Sequence, residues 1–84
     1  MKVNYSNDPK LIGYNATTDT VTITYEDRDQ FREVTKKVMR MKNAAEKQKE
    51  EREFHDKMLR KYGKNVAGEL LYRLWKATSQ EKQQ

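Results

Sequence analysis

Cysteine is missing from this 84-residue chain, which has one histidine, one proline and three glycines. Without cysteine there are no disulfides and no thiolate metal sites. The lone His55 stands four residues after Glu51, a helical spacing that could offer two metal ligands, but zinc sites need three or four. Ser6 and Ser79 lie near the two ends with no base nearby in sequence, so nucleophilic catalysis has nothing to build on. No glycine-rich phosphate loop occurs either. Enzymatic chemistry and a bound cofactor are therefore not expected.

Long apolar runs are also absent. No stretch approaches the ~20 residues that span a bilayer, and "MKVNYSNDPK" lacks the apolar segment of a secretory signal. A cytoplasmic protein without membrane contact is the expectation. Hydrophobic residues make up 35% and charged residues 37%, so much of the surface must be strongly solvated. A chain of this length buries only about 60–65% of its unfolded surface. Self-association or a partner would add to so small a core.

What the chain does have is charge, unevenly placed. Four cations oppose six anions up to Thr35, a balance of −2, while fourteen oppose seven from Lys36 onward, a balance of +7. A basic half suits an acidic partner, either a protein face or nucleic acid.

The pattern predicts a single α+β domain. Val21, Ile23 and Tyr25 alternate with threonines, as in a strand with one buried face. "NATTD" supplies a turn back to Leu11–Tyr14, giving a β-hairpin over 10–26. Residues 1–9 read as an arm or a third short strand. After a cap at Asp27 or Asp29, Phe31, Val34, Val38, Met41 and Ala45 form one helical stripe. Phe54, Met58, Leu59 and Tyr62 form a second, rotated from the first by roughly 120°. Between them lies "EKQKEEREFHDK", nine charged residues with strong helix propensity. No Pro or Gly interrupts 30–62, so one long helix over 29–62 is expected, its weakest point near 46–53. It would be ~50 Å long and overhang a body roughly 30 Å across. Gly63 ends it, and Asn65 caps a shorter helix over 65–78 that packs back. A frayed tail follows over 79–84.

Two surfaces are candidates for binding. Tyr62, Tyr72, Arg73 and Trp75, with Phe54 and Met58 of the second stripe, include the residue types that dominate protein interfaces. Plain core packing is the competing reading of Trp75; Tyr72 points elsewhere on the same helix and is expected to be exposed. This surface makes the chain a non-enzymatic protein-binding factor, an adaptor or inhibitor that self-associates as a homodimer and meets an acidic face. The alternative is a nucleic-acid-binding accessory protein using Lys36, Lys37, Arg40, Lys42, Lys57, Arg60, Lys61 and Lys64 on phosphates. Against it stands the ordinary use of lysines that snorkel around a buried stripe.

Overall fold

The computed structural model describes the backbone of residues 1–82 and the side chains of residues 1–78. The chain is α+β, a three-stranded sheet followed by three helices.

Strand β3 (Thr20–Ile23) is central, and all four of its residues are β-branched. Val21 and Ile23 are buried under the helices. Strand β2 (Gly13–Asn15) joins it as an antiparallel hairpin. Asn15 closes the turn, its Oδ1 accepting from the Thr17 and Thr18 amides at 2.9 and 3.4 Å. The amino-terminal segment is a true third strand, β1 (Lys2–Tyr5), running parallel to β3 on its other side.

Helix α1 (Tyr25–Arg40) starts four residues before the expected 29. Thr24 is the cap, its hydroxyl accepting from the Asp27 amide at 3.1 Å. Tyr25, expected to extend the buried face of the hairpin, is instead the first helical residue and is exposed. A threonine three residues before an acid is itself a capping signal, and it outcompetes one more residue of strand.

The single helix expected over 29–62 is divided. Helix α1 stops at Arg40, and α2 (Ala44–Tyr62) begins after Asn43, upstream of the charged run rather than within it. Met41 takes an extended conformation, and the Asn43 side chain accepts from the Ala45 and Glu46 amides at 2.8 and 3.2 Å. Asparagine competes for backbone amides in this way without needing Pro or Gly. The break also resolves the rotated stripes. Folded back as a hairpin, α1 and α2 turn both toward one core, and the Phe31 and Phe54 rings pack 5.8 Å apart. Nothing overhangs: the molecule measures 39 × 23 × 19 Å.

Gly63 alone joins α2 to α3 (Lys64–Lys82), with a φ of 94° that an L side chain rarely adopts. Its amide donates to the Leu59 carbonyl at 3.0 Å. Helix α3 starts one residue earlier than expected and extends four beyond 78. The expected tail is thus helical through Lys82, while Gln83 and Gln84 lie outside the described residues. Val66, Ala67, Leu70 and Leu74 of α3 meet Phe54 and Met58 of α2 over Val21 and Ile23, forming the core.

Candidate interaction surface

The seam between α1 and α2 holds several of the predicted basic residues. Lys61 Nζ lies 2.7 Å from Asp27 Oδ2, Lys57 Nζ donates to Gln30 Oε1 at 2.6 Å, and Lys37 Nζ donates to Glu50 Oε1 at 2.7 Å. These rungs follow an antiparallel register along the hairpin. They engage Lys37, Lys57 and Lys61 within the fold. Lys36, Arg40, Lys42, Arg60 and Lys64 make no ion pair among the described residues. Arg40 and Lys42 flank the Asn43 turn, Lys36 lies partway back along α1, and Arg60 and Lys64 stand near Gly63, roughly 25 Å from that turn along α2.

The Asp27 rung is buried, with that residue 1% exposed. Its carboxylate accepts from the Thr24 hydroxyl at 3.0 Å and from the Tyr62 hydroxyl, while the Thr24 amide donates to the Tyr62 oxygen at 3.2 Å. The arrangement is a capping box with a tyrosine hydroxyl inserted between the cap amide and the acid. Burial alone would raise the Asp27 pKa, but the bonds from Lys61, Tyr62 and Thr24 outweigh it and hold the group below its ordinary 3.8. Burial, and then the bond to Asp27, raise the Tyr62 pKa; the bond to Asp27 raises that of Lys61. Every buried side-chain polar atom described has a partner. The cluster is a clamp on the α1–α2 hairpin.

The predicted protein-binding residues divide as well. Phe54 and Met58 are 4% and 0% exposed and belong to the core. Tyr62 belongs to the clamp. Arg73 is half-buried, with Nε donating to Glu69 at 2.6 Å and Nη2 to the Met1 carbonyl at 2.8 Å, so it ties β1 to α3. Tyr72 and Trp75 remain, 57% and 51% exposed. The reason is angular. Val66, Ala67, Leu70 and Leu74 fix the buried face of α3, and Trp75 stands 100° past Leu74.

Trp75 is not isolated. It borders a groove of about 310 Å³ between α2 and α3, lined by Gln48, Glu51, Arg52, His55, Leu71 and Trp75. The charged run 46–57 thus supplies one wall of the groove that contains the sole tryptophan. Gly68, Tyr72 and Trp75 follow at i, i+4 and i+7 along the outside of α3. A Cβ at Gly68 would meet nothing within 4 Å, so the backbone there lies bare.

Of these lining residues, Gln48, Glu51, Arg52 and Leu71 were not among the predicted binding residues, yet a signal for them exists. A one-residue connection makes α2 and α3 antiparallel about Gly63, so residues equidistant from it face each other. That pairs His55 with Leu71 and Glu51 with Trp75. Among the described residues, no three His, Asp or Glu side chains gather to hold a metal ion, and no helix is long and apolar enough to cross a membrane. No protein-family model, curated protein or solved structure matches this chain.

Proposed function

We propose that this chain is a small, non-enzymatic protein-binding factor of the adaptor or inhibitor type, docking its partner on the α2–α3 face centred on Trp75. One observation carries the reading: the only tryptophan lies half-exposed at the rim of a groove, with an exposed tyrosine within one turn of it. Trp and Tyr are the side chains that most often concentrate interface energy, and adjacent exposed apolar groups mark contact sites better than scattered ones. Arg52 and His55 on the facing wall, with Lys76 one residue beyond Trp75, suit a partner with an acidic face. A chain without cysteine suits the reducing cytoplasm, where we place it.

The test is capture of host proteins by the wild-type chain and by a Tyr72→Ala/Trp75→Ala variant, each with and without nuclease. The expected result is a partner retained after nuclease and lost with the variant, whose helical circular dichroism is unchanged. A partner held equally by both proteins would overturn the proposed surface. Capture that disappears on nuclease treatment would favour the nucleic-acid reading and its basic residues.

A further inference from the structure

The sheet has two edges, and they differ in what they leave unpaired. In β1 the amides of Lys2 and Ser6 donate to the Asp19 and Ile23 carbonyls at 3.2 and 3.0 Å. With Lys2 opposite Thr20 and Tyr5 opposite Ile23, the backbone groups of even-numbered residues face β3. Those of Val3 and Tyr5 therefore face outward, four hydrogen-bonding groups along one free edge. On the other edge, β2 pairs Gly13 with Thr22 and Asn15 with Thr20, so only Tyr14 turns its groups outward. Residues 3–5 carry no charge, proline or bulge to blunt their edge, the usual protections of an exposed strand.

We propose that β1 pairs with β1 of a second copy, antiparallel about a two-fold axis through Asn4, joining two three-stranded sheets into one of six strands. The register follows from which groups are free. Pairing Val3 with Tyr5 of the other copy, and Tyr5 with its Val3, satisfies all four outward groups and needs no others. Pairing centred on Val3 would require Met1, whose carbonyl already accepts from Arg73 and whose amine lies 3.6 Å from Asp19. Pairing centred on Tyr5 would require Asn7, beyond the end of the strand.

In the chosen register the side chains are compatible. Lys2 faces Ser6 of the other copy, so no like charges oppose within the paired strands. Tyr5 faces Val3, an aromatic pair with a β-branched residue, which is favourable across strands. Both side chains lie on the helix-facing side, beside a gap of about 130 Å³ bordered by Ile23, Arg28, Phe31, Leu70 and Arg73. Asn4 faces Asn4 at the axis, on the opposite, open side of the sheet, where it is exposed in the single chain.

That last contact gives the test. Asn4→Asp and Asn4→Lys each place like charges face to face at the axis while altering only an exposed residue of the monomer. Sedimentation equilibrium from about 5 to about 500 µM should show a wild-type dimer and about tenfold weaker association in each variant. An equimolar mixture of the two variants should recover dimers of mixed composition. The Val3 and Tyr5 amides should also gain protection from hydrogen exchange as concentration rises. A wild-type chain that stays monomeric over that range would overturn the proposal. So would variants that associate as well as the wild type, or a mixture that recovers nothing.

Discussion

Helix α2 has two neighbours and meets them by different means. Toward α1 it presents Lys57, Lys61 and Glu50, and outside the Phe31–Phe54 contact the seam is an ordered set of polar rungs ending in the buried Asp27 clamp. Toward α3 it presents Phe54 and Met58, and the seam is apolar. The polar seam is directional: each rung has one proper partner, so it selects the register of the hairpin. The apolar seam is non-directional and supplies most of the cohesion, and its register comes from the one-residue connection at Gly63. One seam is specified by side chains and the other by chain geometry.

The sharpest test of this contrast is Met58→Ala. Met58 is wholly buried in the apolar seam, and its truncation should lose about 2–5 kcal/mol, a large part of the stability of so small a domain. Urea unfolding should show this as a large drop in midpoint. A loss below about 1 kcal/mol would mean that the α2–α3 seam is not where cohesion lies.

Asp27→Asn should have the next largest effect, about 2 kcal/mol, because Lys61 loses its counter-charge and the Tyr62 hydroxyl a strong acceptor. It should also change the pH profile. The depressed Asp27 pKa contributes stability that is present above the ordinary 3.8 and is lost as pH falls through the folded value. The raised Tyr62 and Lys61 values act in the opposite direction. Their contributions are present below the ordinary 10.0 and 10.5 and are lost as pH rises through the folded values. Wild-type stability should therefore hold between about pH 4 and pH 10 and decline at both ends. In Asp27→Asn the acid limb should flatten, as measured by thermal melts across pH.

Gly68→Ala should have the smallest effect and the opposite sign. Glycine inside a helix is less stable than alanine by roughly 0.5–1 kcal/mol, and the site has open space around it. The variant should melt a few degrees higher. If it also binds the partner of the Trp75 face less well, the bare backbone at position 68 serves close approach rather than folding.

Much of the fold was legible because its strongest signals were local. The alternation around Val21 and Ile23 gave β3, and Gly63 marked the end of a helix because few other residues take its φ. The Asn43 break was not legible. It rests on one side chain bonding two amides, in a segment whose every neighbour favours helix, and its gain comes from burying two distant stripes together. The same blind spot moved the start of α1, where Thr24 gains from Tyr62, a residue 38 positions away. The candidate surface was half legible. Tyr72 and Trp75 carry the composition of an interface, but Phe54 and Met58 carry the composition of a core just as well. Only the pairing of helices about Gly63 separates the two uses.

That pairing gives α3 something like a reading frame. Deleting one residue just after Gly63 would move Ala67, Gly68, Leu71 and Trp75 into the places of Val66, Ala67, Leu70 and Leu74, all apolar or small. Inserting one there would instead bring Asn65, Val66, Glu69 and Arg73 inward, burying two charges. The helix is thus far more tolerant of shortening than of lengthening, and shortening it would turn the Trp75 face inside out.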